Sequence, residues 1–265
     1  MLAATDQSRC MERLLARDRP PVLSLGASSV LSSPRTAGRG AEGPPATGPP
    51  PRIITPRPAA DPEVRPVTSI GLCAAWSRHA AELAVPIGAA LQRWEETPST
   101  RVLIAEGQLA RILPGRYLPP DLLRSAVQRA LALGCAMGAA LQSHHVIAGP
   151  SAAWVVLGGP PPASAEMLST AHRGELAGVT LRHSRLRSAD IETVGGAPVT
   201  VPARTAVDLL RFAPLSVAAP LLHRLVDSGH LRPEEVQRRL QRMHRHPGVR
   251  AARDRFAAVL GDTTP

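Results

Sequence analysis

The stretch VPARTAVDLL, from Val201 to Leu210, places an Arg and an Asp four residues apart in an otherwise apolar segment. On a helix, Arg204, Asp208 and Arg211 form a stripe beside the apolar face. Such pairs contribute about 0.2–0.5 kcal/mol each when they are exposed. Our first interpretation is therefore a solvated or interdomain set of ion pairs. In the alternative, Arg204 and Thr205 bind a phosphate or carboxylate at the start of the helix, where the helix dipole favours anions.

Nine histidines raise the question of metal binding or catalysis. The close pairs are His144-His145 and His244-x-His246. Neither has the i, i+4 spacing beside a carboxylate that a helical zinc site uses, and neither lies near a Cys. His183 is expected to end a strand and to make a local hydrogen bond. The sequence thus predicts no metal site.

Serine and glycine motifs do not indicate an active site either. Ser151 in GPSAA lacks the second Gly of a nucleophile elbow, because Ala153 takes its place. We expect Ser151 to cap a helix and Trp154 to lie in the core. The glycines of GRGAEG, residues 38–43, satisfy GxGxxG but lack the flanking strand and helix that a dinucleotide site requires. We therefore expect neither an enzyme nor a cofactor.

The charge of the chain favours an anionic partner. The net charge is +10 and the isoelectric point about 11.3, which is typical of proteins that bind nucleic acid. All 31 basic residues are Arg, and Lys and Asn are both absent, so GC-rich codon usage is a second source of the excess. Cys10, Cys73 and Cys135 show no CxxC spacing, which favours a reducing cytoplasm. No apolar run approaches the roughly 20 residues that span a bilayer, so no membrane association is expected.

The first 120 residues are predicted to hold a tail and a small DNA-binding domain. Residues 1–69 are expected to be disordered, because they are rich in Pro, Gly and Arg and contain little apolar surface. For residues 70–120 we predict a winged helix-turn-helix. Its expected elements are a helix over 72–83, a second helix from Pro86 to Trp94, a break at 97–100, and extended runs at 101–105 and 109–118.

Residues 121–262 are predicted to form a mixed α/β domain with a helical C-terminus, so the fold class is α+β. Thr200 is expected to cap the helix that begins at Pro202. The predicted elements are a long helix at 121–142, a strand near 146, a helix at 151–157, strands at 166–170, 179–183, 191–194 and 197–201, and helices from 202 to about 260 with breaks at Pro214, Ser228-Gly229 and Pro247-Gly248.

Three motifs within this domain resemble a known family. They are GPSAAWVVLGG from Gly149, GVTLRHSRL from Gly178 and GGAPVTVPARTAVDLLR from Gly195. With LARILPGRYLPP upstream and HPGVRAARDRF downstream, they resemble the AbiE-type (AbiEi) antitoxins of type IV toxin–antitoxin systems, which act in phage defence. The similarity covers about residues 70–260, and PVTxPARTxxDL is its most specific part.

The resemblance implies a transcriptional repressor that binds inverted repeats in its own promoter as double-stranded DNA. It also implies an antitoxin domain, marked by Arg204, Thr205 and Asp208, that opposes a nucleotidyltransferase-like toxin without forming a stable complex with it. We expect the nuclease-like C-terminal domain of some relatives to be lacking, since such a nuclease normally needs a Lys.

The predicted contacts to DNA are few. The expected recognition helix, residues 87–94, offers two polar side chains, whereas base readout normally uses three or four. Residues 71–118 carry five Arg against four acidic residues, a net charge of +1. The predicted DNA-binding residues are Gln92, Arg93, Arg101, Arg111, Arg116 and Tyr117.

A second basic surface is predicted near the C-terminus. Residues 201–265 carry eleven Arg against six acidic residues, a net charge of +5. We hypothesise that this face contacts phosphates or serves the antitoxin role, the alternative being a solvated Arg face. It consists of Arg238, Arg242, Arg245, Arg250 and Arg253.

Three functions remain open from the sequence. The first is a DNA-binding antitoxin and autorepressor. The second is a degenerate or non-DNA-binding protein that acts only through its C-terminal domain. The third is a remnant of a nuclease-bearing relative, which the missing Lys disfavours. No small-molecule substrate is expected in any of them.

Overall fold

The structure, a computed structural model, describes residues 71–171, 174–243 and 245–261, with the backbone alone for 174–176. The predicted tail at 1–69 and Cys10 lie outside these ranges. The described helices are α1 Arg78–Ala90, α2 Pro98–Ala105, α3 Ala126–Met137, α4 Gly149–Leu157, α5 Pro202–Phe212, α6 Leu215–Asp227, α7 Pro233–Arg242 and α8 Val249–Leu260. The described strands are β1 Gln92–Arg93, β2 Ala110–Leu113, β3 Arg116–Leu118, β4 His145–Ile147, β5 Ala165–Ser169, β6 Gly174–Leu176, β7 Val179–His183, β8 Ile191–Val194 and β9 Ala197–Thr200.

The strands form two sheets. The first has the order β1-β3-β2 and is antiparallel throughout. The second has the order β6-β7-β5-β4-β9-β8, with parallel pairs at β4–β9 and β5–β7 and antiparallel pairs elsewhere. The prediction of a chain that mixes α and β structure is therefore confirmed.

The region around the first sheet differs from the prediction at Pro86. One helix, α1, runs through this proline, where two helices were expected. Its start is fixed by Ser77, whose Oγ accepts a hydrogen bond from the Ala80 amide at 3.0 Å. The Pro86 ring lies at the exposed side of the helix, where it meets solvent. Residues 92–93, expected in a recognition helix, form strand β1 and pair with β3.

Helix α2 replaces the predicted break at 97–100 and the extended run at 101–105. Thr97 and Thr100 form a capping box, in which each hydroxyl accepts a hydrogen bond from the other residue's amide, at 3.2 and 3.4 Å. Pro98 occupies the first turn, where its missing N–H costs nothing. These start signals outweigh the β-branched residues that made the run look extended. The following hairpin, β2–β3, is confirmed.

The second sheet follows the prediction closely. Strands β7 and β8 have the predicted bounds, and β5 and β9 agree within one residue. Strand β6 was not predicted, because its sequence GEL shows no apolar alternation. Helix α3 is shorter than expected, since Ser125 caps it and Gly138 ends it.

The buried apolar residues fall into two clusters. The first joins α1, α3 and both sheets, and it includes Ile112, Leu131 and Met167. The second joins α5, α6, α7 and α8, and it includes Leu210 and Leu222. The first cluster extends across the predicted domain boundary at residues 120–121, and that boundary stays a prediction.

Two cysteines lie in the first cluster. Cys73 and Cys135 are free, and their Sγ atoms are 3.9 Å apart. The hydrogen bond between them and their burial raise the pKa of Cys73. In the described part of the chain, no helix has the length and apolar character needed to cross a membrane.

Candidate functional site

Helix α5 begins at Pro202 as predicted, but Thr200 does not cap it. The N-cap residue is Val201, which makes no side-chain bond. The Thr205 hydroxyl donates to the Thr200 carbonyl at 3.0 Å and lies 2.7 Å from the Thr200 hydroxyl. These bonds tie β9 to α5. Thr205 is only 2% exposed, which disfavours the alternative in which it contacts a bound anion.

Arg204 is buried, with 2% of its surface exposed. Its Nε donates to Asp208 Oδ2 at 2.9 Å, its Nη1 to Asp190 Oδ2 at 3.3 Å and its Nη2 to Ser184 Oγ at 2.8 Å. The predicted ion pairs of Asp208 with Arg204 and Arg211 are present, but they are buried and not solvated, because the segment between β7 and β8 covers this part of α5. Arg204 does bind carboxylates, and both belong to its own chain.

The two carboxylates bound to Arg204 have opposite pKa shifts. Burial raises the pKa of Asp208, and Arg204 and Arg211 only partly offset this effect. Burial also acts on Asp190, but the Arg187 amide and the guanidinium groups of Arg239 and Arg204 outweigh it, so its pKa is lowered. The Arg239 guanidinium pairs directly with Asp190. The cluster thus holds three cations around two buried carboxyl groups.

This cluster fixes the segment 184–190, which connects β7 to β8. Asp190 accepts a hydrogen bond from the Arg187 amide at 3.1 Å, and its carbonyl accepts one from the Val201 amide at 3.1 Å. At the other end, Arg204 holds the Ser184 hydroxyl. The middle of the segment presents Arg185 and Arg187 to solvent. The buried charges of α5 therefore fix the segment 184–190, which carries Arg185 and Arg187 on its exposed side.

A second arrangement of arginines surrounds Phe212 at the end of α5. The guanidinium carbons of Arg182 and Arg211 lie 4.7 and 4.4 Å from the centre of the Phe212 ring. Arg182 is 3.2 Å from the Glu166 carboxylate, whose pKa burial raises. Arg211 donates two hydrogen bonds to the Pro247 carbonyl, at 3.1 and 2.8 Å. Both guanidinium groups are therefore held in place by the fold.

Four cavities lie along this face and share lining residues. The first, of about 780 Å³, is lined by residues 180–185 and by Phe212. It shares Arg185 with a cavity of about 310 Å³, which shares Arg187 with one of about 490 Å³. The last, of about 260 Å³, reaches the start of α5. We call this surface the basic groove and define it by Arg182, Arg185, Arg187, Arg211, Arg238 and Arg242.

The five residues of the predicted C-terminal basic face do not lie together in the structure. Arg238 and Arg242 line the basic groove. Arg245 and Arg250 are exposed outside its lining, and Arg253 donates to the Leu240 carbonyl at 3.1 Å. Two of the five residues thus join the arginines of the 184–190 segment.

The predicted DNA-contacting residues lie on four different elements. Gln92 and Arg93 are on β1, Arg101 on α2, Arg111 on β2 and Arg116 on β3. Tyr117 has no exposed surface, so its assignment as a DNA contact is corrected.

Two of the predicted DNA-contacting arginines form ion pairs within the chain. Glu96 lies 3.7 Å from Arg101 and 3.2 Å from Arg111. Arg93 and Arg116 instead face each other across β1 and β3. Burial and the charge of Arg93 lower the pKa of Arg116.

The other residues considered for chemistry have structural roles or exposed positions. Ser151 does not cap its helix; its Oγ accepts a hydrogen bond from the Glu166 amide at 2.8 Å. Trp154 lies in the core at 3% exposure, as predicted. His183 ends β7 and is exposed. Within the described ranges no three His, Cys, Asp or Glu side chains come together as a metal site would require, and His244 lies outside those ranges.

The residues that complete the Arg204 cluster were missed in the sequence. Asp190 and Ser184 are 14 and 20 residues from Arg204, and Arg239 is 49 residues from Asp190. No periodic pattern joins positions so far apart. The only local signal is the arginine-rich run RHSRLRSAD before β8, which indicates a basic loop but not its buried partner.

Comparisons with known proteins identify no family. No family model matches the chain, and no curated protein matches it. Among solved structures, it is similar to the Rv2827c protein from Mycobacterium tuberculosis, with 17% sequence identity over 75% of this chain and 78% of that one, and a TM-score of 0.36. A similarity of this size assigns neither a fold nor a function to the chain.

Proposed function

We propose that this protein is an AbiEi-type antitoxin that represses its own promoter and counteracts a nucleotidyltransferase-like toxin in the cytoplasm. The resemblance in PVTxPARTxxDL supports the antitoxin part. Its Arg204 and Asp208 form the centre of a buried cluster, which is consistent with a motif that maintains one particular structure. The toxin would be a functional partner without a stable complex, as the resemblance implies.

The order of elements in residues 71–118 supports the DNA-binding part. A helix, a short strand, a second helix and a β-hairpin follow one another, and β1 joins the hairpin as a third strand. A winged helix-turn-helix has this order around its recognition helix and wing. In the proposal α2 is the recognition helix, because it directly precedes the hairpin and exposes Ser99, Arg101 and Val102.

The observation that carries the DNA-binding proposal is the pairing of Arg93 with Arg116. The two arginines are directly opposite each other on neighbouring strands. Like charges in this position destabilise a sheet. Among the described residues, no carboxylate lies within ion-pair distance of either one. A DNA phosphate bound between the two guanidinium groups would relieve the repulsion between them.

The test compares two variants that remove the same charge. The Arg93→Gln/Arg116→Gln variant should bind a labelled duplex from the protein's own upstream DNA at least tenfold more weakly than the wild type. Its plot of log affinity against log salt should be shallower by about 2, since each phosphate contact contributes about 0.9. The control variant Arg78→Gln/Arg124→Gln changes two exposed positions, and its affinity for the duplex should fall less than threefold. Equal losses in the two variants, or no binding of wild type at low salt, would contradict the proposal.

A second candidate function is an antitoxin that acts only through its C-terminal domain. Glu96 favours it, because its carboxylate pairs with both Arg101 and Arg111 and offsets one of their two positive charges, which lowers the net charge near α2. Under this candidate, co-expression with the toxin encoded beside it restores growth although wild type binds no upstream duplex. Growth rescue by Arg93→Gln/Arg116→Gln together with loss of DNA binding supports the first function and separates its two activities.

A further inference from the structure

We propose that the basic groove binds single-stranded nucleic acid, with the strand's phosphates on its arginines. This site is distinct from the proposed duplex site, which lies on α2, β1 and β3. The inference starts from the shared lining of the four cavities, which makes one groove from the Arg182 end to the Arg238 end.

The groove has an excess of positive charge that is only partly compensated. Arg182 pairs with Glu166 and Arg211 with Asp208, and the lining also contains Asp190 and Glu235. Within the described chain, no carboxylate lies within ion-pair distance of Arg185, Arg187, Arg238 or Arg242. Asp190, the acidic residue of the middle part, is covered by Arg204 and Arg239. Such a line of positive charge is a site for an extended polyanion.

Two of the six groove arginines are held in place by contacts within the fold. Arg182 and Arg211 are fixed over the Phe212 ring by Glu166 and by the Pro247 carbonyl. Arg185 lies on the segment that Arg204 and Asp190 anchor. Planar guanidinium groups bind phosphate through two parallel hydrogen bonds and stack on bases. Because the guanidinium groups of Arg182 and Arg211 are already positioned, these two side chains lose little freedom on binding.

The dimensions of the groove favour a single strand over a duplex or a peptide. Cavities of about 300–1,000 Å³ hold drug-sized ligands, a class that includes one nucleotide, and three of the four cavities fall in this range. A duplex presents a broad convex backbone, which can contact the rim of such a cavity but places no base inside it. Peptides dock on free sheet edges or in apolar grooves, whereas nine of the seventeen residues that line the first cavity and the cavity of about 310 Å³ are Arg or His.

The test measures binding of the full-length protein to fluorescein-labelled 12-nucleotide oligo(U) and oligo(dT). Arg185→Gln/Arg187→Gln/Arg242→Gln should weaken binding to single strands at least tenfold and make the salt dependence shallower by about 2, at about 0.7 per phosphate contact. The control Arg78→Gln/Arg124→Gln/Arg232→Gln removes the same charge at exposed positions outside the groove, and its affinity for single strands should fall less than threefold. Binding of either oligonucleotide by the wild type, lost in the groove variant, supports the proposal. The oligonucleotide that binds more tightly shows whether the site prefers RNA or DNA.

Each proposal can fail without the other. The groove variant should bind the upstream duplex within threefold of wild type, and Arg93→Gln/Arg116→Gln should bind single strands within threefold. A second groove variant, in which all three arginines become Lys, keeps the charge of the groove and so controls for unfolding caused by charge loss. Its affinity for single strands should fall about three- to tenfold. Equal losses in the groove and control variants would overturn the proposal. So would displacement of the oligonucleotide by a 12-residue polyglutamate at the same concentration, which would indicate an acidic protein partner instead.

Discussion

Arg204 is a buried cation whose removal would leave Asp208 without its main partner and Asp190 without one of its two guanidinium partners. Breaking such a group by removing one member costs about 3–5 kcal/mol, because the remaining charge stays desolvated. We expect Arg204→Leu to lower the free energy of unfolding by that amount, measured by urea denaturation. Arg78→Leu is a matched control, since its ion pair with Glu82 is exposed and 2.9 Å long. The control should change stability by less than about 1 kcal/mol, and similar losses in both variants would contradict the role of Arg204.

Asp190 should make the stability of the fold sensitive to acid. Its pKa in the folded state is below the ordinary value of about 3.9, so the folded protein binds a proton there less readily than the unfolded chain. Its ionised form therefore adds stability above about pH 4, and this contribution is lost as the pH falls through the folded pKa. The difference in unfolding free energy between wild type and Asp190→Asn should be largest near pH 6 and shrink below pH 4. Urea titrations across this range measure it.

The comparison of two variants isolates Asp190 from its neighbours. Asp208 and Glu166 have raised pKa values, so their protonation in acid favours the folded state. These contributions are present in wild type and in Asp190→Asn and cancel to first order in the difference. A difference that stays constant or grows toward acid would show that the lowered pKa of Asp190 does not control this part of the pH dependence.

At the scale of elements, the predictions succeeded where local signals agree. Strand β7 alternates apolar and polar residues and follows Gly178, and β8 ends at the Gly195-Gly196 turn, so their limits were found. Helix α2 was missed because its β-branched residues mask the Thr97 cap. The pairs of Asp208 with Arg204 and Arg211 followed from helical spacing alone. Their burial did not, since it depends on segment 184–190 folding over α5.

Two turns that belong to different sheets contact each other at Gly178. Its φ of +75° favours glycine, and a Cβ there would overlap the Pro114 ring in the β2–β3 turn. We expect Gly178→Ala to cost about 2–4 kcal/mol, the sum of backbone strain and overpacking. Gly107 is the control, because its φ is +71° and no atom lies within 4 Å of the position that a Cβ would take.

The same measurement distinguishes strain from contact. Gly107→Ala should cost about 1 kcal/mol from its backbone conformation alone. Thermal or urea unfolding of both variants gives the two values. Equal costs would mean that the contact between the two turns contributes nothing to the stability of the fold.

At the scale of the whole described molecule, residues 71–118 are joined to the second sheet by specific bonds. The Trp76 indole donates to the His145 carbonyl at 2.8 Å, and the Ser77 hydroxyl donates to the Gly196 carbonyl at 3.2 Å. Helix α1 also packs on α3 in the first apolar cluster. A region attached in this way cannot unfold without exposing the core of the rest.

We therefore expect one cooperative unfolding transition for residues 71–261. Trp76 reports on the N-terminal region and Trp154 on the core beside α5. When Trp94 is replaced by Phe, the fluorescence of a variant that keeps only one of these two follows each part separately. The urea midpoints of the Trp76-only and Trp154-only variants should coincide with each other and with the loss of far-ultraviolet circular dichroism. Separate midpoints, with Trp76 changing first, would show that the N-terminal region folds as an independent unit. In that case the shared cluster would be a weak interface, and DNA binding by the first region would have no energetic link to the basic groove.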